Sequence, residues 1–186
     1  MGPRRRESIA DRRERHAAVD DPAVVLEAAA RFLEVRSRSV AEVRRRLTRA
    51  GYRPDLVEGA IARLTDLGVL DDEAFARAWV ESRDRARPRG ERALRDELRL
   101  KGIDREIADA VLLERHDDPG AVAPDRIAAE RLIGKNRRTL DRIDEPRKRR
   151  ERAYALLARN GFDPETCREV ASMVVSGEER SDALAD

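Results

Sequence analysis

The stretch Leu47-Thr48-Arg49-Ala50-Gly51-Tyr52-Arg53-Pro54-Asp55 decides how this chain is read. A leucine ends an apolar-periodic run, a glycine follows, then a large apolar residue, and a carboxylate opens the next run. Glycine takes the left-handed conformation that ends a helix, the apolar residue folds back on the helix just finished, and the acid complements the positive first turn of its successor. The phrase predicts a helix, a tight turn and a helix. It returns as Leu98, Gly102, Ile103, Glu106 and as Leu157, Gly161, Phe162, Glu165, with glycine intervals of 51 and 59 residues. Repetition at that spacing predicts an array of similar small helical modules.

Working outward, Asp21 and Pro22 read as an N-cap and first-turn pair before a stripe of Val24, Val25, Ala28, Phe32 and Leu33. Ser39 and Glu42 carry a capping-box signature ahead of Val40, Val43 and Leu47. Pro54 starts a third helix holding Leu56, Val57, Ala60, Ile61, Leu64 and Leu67. The same rhythm follows from Asp71 and Asp72: Phe75, Ala78, Trp79 and Val80, a break at Pro88 and Gly90, Leu94 and Leu98, then Ile107, Val111 and Leu112. A third set comprises Ile127, Leu132 and Ile133; Ala153, Leu156 and Leu157; and Val170, Met173 and Val174. The expected fold is all-α: three tandem three-helix, helix-turn-helix-like repeats at 22–70, 71–115 and 125–176, forming an elongated, curved, solenoid-like body. Outside them lie a disordered basic arm at 1–21, a linker at 116–124 and a frayed tail at 177–186.

Composition narrows the function. Of 186 residues, 42% are charged and 3% aromatic, so thin cores of Leu, Ile, Val and Ala are expected instead of one large core. Cys167 stands alone and suits a small apolar core position. The start lacks the apolar stretch of a secretory signal, and no run approaches the roughly 20 apolar residues of a membrane span. A monomeric cytoplasmic protein with no membrane contact is expected. Enzymatic chemistry has little support: His16 and His116 lie in the arm and the linker, Gly134-Lys135 fails as a phosphate loop because residue 129 is alanine, and Asp71-Asp72 are better explained as caps than as metal ligands. No catalytic residue, cofactor or metal is expected.

Net charge is only +2, yet it is segregated. Residues 83–101 carry eight bases and four acids and residues 131–152 ten bases and four acids, whereas residues 104–130 carry three bases and eight acids. Basic faces beside acidic ones suit nucleic acid or a complementary protein. The leading candidates are Arg87 and Arg89, presented from a turn, with Arg92, Arg95 and Arg99 on the helical face opposite Leu94 and Leu98. Arg38, Arg44, Arg45 and Arg49 offer a similar face in the first module, and Arg147, Lys148, Arg149 and Arg150 a denser block in the third. Such faces follow phosphates or meet carboxylates, unless Asp96, Glu97 and Glu42 neutralise them locally. The aromatics fall at core or cap positions, which disfavours base stacking and favours contact with a DNA backbone or with a protein that carries DNA.

Three runs carry a family resemblance: Arg36-Ser37-Arg38-Ser39 with Glu42 and Leu47 to Gly51; Leu67-Gly68-Val69-Leu70-Asp71-Asp72 with Phe75-Ala76; and Gly90, Leu94, Glu97, Leu98, Lys101, Gly102, Ile103. They resemble the RecX regulators of bacterial recombination, closely over 28–114 and in phrase order from 125 to 175. The resemblance implies a non-enzymatic modulator lying in the groove of the RecA nucleoprotein filament, limiting ATP hydrolysis and strand exchange in recombination, repair and the SOS response. Its partners would be the RecA filament and single- or double-stranded DNA through backbone contacts. The alternatives are a stand-alone helix-turn-helix-like DNA-binding protein, which would bind naked duplex with a steep salt dependence, and a helical scaffold for another acidic partner.

Overall fold

The structure, a computed structural model, describes residues 8–115 and 123–182. Within them are ten helices and no strand: α1 (Ile9–Ala17), α2 (Pro22–Leu33), α3 (Val40–Ala50), α4 (Pro54–Asp66), α5 (Asp72–Ala86), α6 (Glu91–Lys101), α7 (Arg105–Glu114), α8 (Pro124–Leu140), α9 (Pro146–Arg159) and α10 (Pro164–Asp182). Helices α2–α4, α5–α7 and α8–α10 are the three sets. Most of the linker expected at 116–124, with His116, lies outside the described residues.

Helix ends follow the local chemistry. Asp21 accepts from the Ala23 amide, and Pro22, Pro54, Pro124 and Pro146 each open a helix where a missing N–H costs nothing. Ser39 and Glu42 form the full reciprocal capping box. Gly51, Gly102 and Gly161 have φ of 102°, 80° and 83°, the left-handed stop that the repeated phrase calls for.

The arm is not featureless. Ser8 caps α1 through its own capping box, and although α1 buries no residue it docks on the end of α3. The His16 ring stacks on Tyr52 with centroids 4.3 Å apart, and Nδ1 lies 2.8 Å from the Ala50 carbonyl, so Nδ1 carries the proton and donates. Apolar counting missed this helix because its docking uses an aromatic stack and a hydrogen bond to backbone, not an apolar stripe.

The described chain divides into two units: residues up to Phe75 with Lys101–Ile103, and Ala76–Leu100 with residues from Asp104 onward. In the first, Val25, Ala29, Val43, Leu47, Val57, Ile61 and Leu64 form the core of α2–α4. In the second, Leu94, Leu98, Val111 and Leu112 are buried, and Ala129, Ile133, Leu140, Ala153, Leu157, Phe162, Cys167 and Val170 make the core of α8–α10. Val24, Leu67 and Met173, assigned to apolar stripes by periodicity, are 41%, 54% and 46% exposed.

The division cuts α5 and α6 because their ends bond to α3. The Ser39 hydroxyl donates to the Lys101 carbonyl (2.7 Å) while accepting from the Glu42 amide, and the Val40 amide donates to Asp72 (2.9 Å). The second unit repeats the arrangement: the Gly90 amide donates to the Asn160 carbonyl (3.0 Å), and the Glu91 amide to Asp125 (2.9 Å). A Cβ on Gly90 would collide with backbone of Gly161 and Phe162, whereas one on Gly59, inside α4, would meet nothing within 4 Å. Gly90→Ala should therefore lower stability by about 1–3 kcal/mol and Gly59→Ala raise it by about 0.5–1 kcal/mol, read as opposite shifts of the urea midpoint.

Candidate functional site

The helix-end bonds decide which polar groups remain for other work. Asp71 accepts from the Ala74 amide and caps α5, while Asp72 reaches across to the first amide of α3. Burial holds the Asp72 carboxyl above its ordinary range, with the Val40 hydrogen bond opposing. The adjacent pair thus makes two caps, and among the described residues no group of His, Cys, Asp or Glu is arranged to hold a metal. Asp125, 8% exposed, caps α6 and accepts from Arg115, which also pairs with Asp84 at 2.8 Å. Burial pushes the Asp125 carboxyl up and Arg115 pulls it down. Burial also raises the Cys167 thiol, the opposite of what a nucleophile needs.

The candidate guanidiniums separate into three groups. Some belong to the fold. Arg38 lies over the Phe32 ring at 4.2 Å, with Nε buried and without a hydrogen-bond partner among the described residues. Burial and the charge of Arg36 hold its pKa below the ordinary value, with Glu42 opposing. Arg89 donates to the Asn160 side chain at 2.6 Å and approaches Glu97 at 3.5 Å. Arg149, read as part of an exposed block, is 5% exposed and its Nε donates to the Ile143 carbonyl. Its position on α9 turns it inward while its neighbours stay in solvent.

A second group is neutralised. Arg44 grips Glu58 through two nitrogens, at 2.6 and 2.8 Å. Arg95 binds Asp109 and Glu91, so the stripe of 92, 95 and 99 is interrupted at its centre. Arg147 and Lys148 pair with Glu151 and Glu145 on the surface of α9, contacts so exposed that they hold these cations only weakly. Glu58 and Asp109 come from the next helix of each set, so these pairings were hidden from a local reading.

The third group stays available. Arg49, Arg87, Arg92 and Arg150 are exposed and have no side-chain partner among the described residues. Arg99, 75% exposed, is 3.9 Å from Asp96, and Arg45 makes one 3.4 Å bond to the Lys101 carbonyl. Such contacts offset little of a charge in water. The Trp79 face is already covered: Arg83 lies 4.3 Å over it, the indole donates to Glu97, and Arg83 donates to the same carboxylate at 2.6 Å.

Comparison with known proteins bears on the same helices. The model of the first three-helix domain of RecX matches residues 26–64, and that of the second matches residues 71–112. A "Regulatory protein RecX" from Mycobacterium sp. (strain KMS) is 38% identical over 151 residues, spanning 80% of each chain. The chain belongs to the RecX family. Another "Regulatory protein RecX", from Mycolicibacterium smegmatis, is 36% identical over 152 residues, covering 80% of this chain and 78% of its own length. The crystal structure of RecX from Lactobacillus salivarius superposes with a TM-score of 0.70 at 22% identity, covering 83% of this chain and 97% of that one, and shares its fold. Membership in RecX makes this a regulatory protein. No described helix is long and apolar enough to cross a membrane.

Structural and available charges should part on mutation. Glu97→Ala removes the acceptor shared by the Trp79 indole and Arg83 and should cost about 2 kcal/mol with a shift in the emission of the chain's single tryptophan, whereas Arg92→Ala should stay within about 0.5 kcal/mol of the parent in a denaturation followed by that fluorescence.

Proposed function

We propose that this protein binds the RecA nucleoprotein filament and restrains its ATPase and strand-exchange activities, acting as a non-enzymatic regulator of recombination, repair and the SOS response. The observation that carries the reading is the pattern of spare charge on the middle helices of a RecX-family chain. Arg45 and Arg49 on α3, and Arg92 and Arg99 on α6, project from helices whose first turns are pinned by Asp72 and Asp125. A guanidinium on a pinned helix loses less freedom on meeting a carboxylate than one on a mobile loop, so more of the interaction appears as affinity. Several modest contacts on linked modules then add through effective concentration.

The test is ATP hydrolysis by the recombinase of the same cell, assembled on single-stranded DNA, as this protein is titrated in below stoichiometry. Suppression is expected, and Arg87→Glu/Arg92→Glu/Arg99→Glu should shift the half-effect concentration upward at least tenfold while leaving the fold intact. An unchanged hydrolysis rate with the parent protein would contradict the proposal and leave direct duplex binding as the surviving function.

A further inference from the structure

Five residues of α8, Arg126, Glu130, Gly134, Arg137 and, at the C-cap, Asp141, follow one another at intervals of four, four, three and four. That period aligns them along one face over about 22 Å. The order of charge along it is plus, minus, glycine, plus, minus. Arg126 is half-buried and the other four are exposed. Within the chain the charges are paired lengthwise, Arg126 with Glu130 at 3.1 Å and Arg137 with Asp141 at 3.6 Å, and Arg126 also meets Glu169 of α10 at 2.6 Å. Such exposed pairs are weak and exchange partners at little cost.

Beside the row lies an apolar groove of about 240 Å³ between α8 and α10. Ile133, Leu140 and Val170 are its buried floor, and Met173, 46% exposed, lines its α10 side. Gly134 lies on its α8 edge. A glycine inside a helix weakens it relative to alanine, yet a Cβ here would meet nothing within 4 Å, so packing within the chain does not require the gap. An apolar floor, a solvent-facing methionine and a glycine with open space above it make a face that another helix can approach closely.

We propose that this face pairs with the same face of a second copy, α8 running antiparallel to α8 about a two-fold axis that passes between residues 133 and 134. Reversal turns the order of charge into its own complement. Arg126 and Asp141 lie equally far from the axis along the helix, as do Glu130 and Arg137, so each cation of one copy faces an acid of the other. Ile133 comes opposite Gly134, bulk against space, and Met173, flexible and exposed, is the side chain available to fill what remains. Use of one patch by both copies is what a two-fold contact demands. A parallel pairing, or a slip of one turn, would set like charges opposite each other. The charges therefore fix the register while the groove supplies the apolar area. Such a dimer stands apart from the filament reading and departs from the monomer expected of the sequence.

The test is sedimentation equilibrium of the full chain over a roughly hundredfold range of concentration, without DNA or recombinase. The mean mass should climb from 21.1 kDa towards twice that value. Glu130→Arg and Arg137→Glu, each alone, should raise the dissociation constant at least about tenfold, because each sets like charges across the axis. Mixed in equal amounts, the two variants should pair within about threefold of the parent, a recovery that damaged folding could not produce. Gly134→Gln, which changes no charge and favours the helix, should weaken pairing at least about tenfold while raising the urea midpoint of the dilute chain. A mass of 21.1 kDa at every concentration overturns the proposal and leaves the groove to a different protein. So does a mixture that pairs no more tightly than its components, or a Gly134→Gln chain that pairs like the parent.

Discussion

Everything in this structure depends on how the ends of the middle helices are satisfied. A helix leaves its first amides and last carbonyls without partners, and a helix end brought into contact with another must find them there. The carbonyl just before each helix-ending glycine meets this demand in the same way each time. Ala50 accepts from His16, Lys101 from Ser39 and Asn160 from Gly90. In two of the three places an aspartate from the following set, Asp72 or Asp125, takes the first amide of the earlier middle helix. Such closeness leaves no room for side chains at the contact. Gly102 sits against Ala41 and Gly161 against Ala93, while the corresponding start of α9 carries Arg147 and Lys148, too large for the same approach.

This constraint sorts the charges. Ser39, Asp72, Asp125 and Arg115 are consumed in making the contacts, and Glu42 serves two ends at once. It accepts from the Ser39 amide in the capping box and pairs with Lys101 at 3.1 Å and Arg36 at 3.1 Å. Burial opposes its ionisation, but the bonds from Lys101 and Arg36 hold its carboxyl below the ordinary value. Among the described residues, what remains spare on the middle helices after Glu58, Glu97 and Asp109 have claimed their partners is Arg49 on α3 and Arg92 and Arg99 on α6, helices whose first amides are bonded to Asp72 and Asp125. Under the proposed function the protein works by binding, and spare charge is the form of binding surface that a chain so poor in aromatic residues can present.

Much of this was legible in the residues. Glycine at a helix end, Ser39 with Glu42 and Asp21 with Pro22 act within a few positions of themselves, so spacing alone reveals them and with them the three sets of helices. What spacing does not reveal is any bond between helices distant in sequence. Asp71 and Asp72 read together as caps of one helix start, but Asp72 caps α3, thirty-two residues away. Arg95 and Arg44 looked free for the same reason, and Arg149 was counted with its neighbours because a run of four cations has no visible phase. Helix α1 escaped because its hold on Tyr52 and Ala50 involves no apolar stripe.

The most direct measurement is amide hydrogen exchange at Val40, Gly90 and Glu91. Amides at these positions normally exchange freely, because a helix start supplies no carbonyl for them. Here Asp72, Asn160 and Asp125 occupy them, and the account predicts protection comparable to the interiors of α3 and α6. Exchange as fast as at the solvent-facing start of α4 would mean that the helix ends do not hold the sets together, and the basis for rigid, spare charge on the middle helices would be gone.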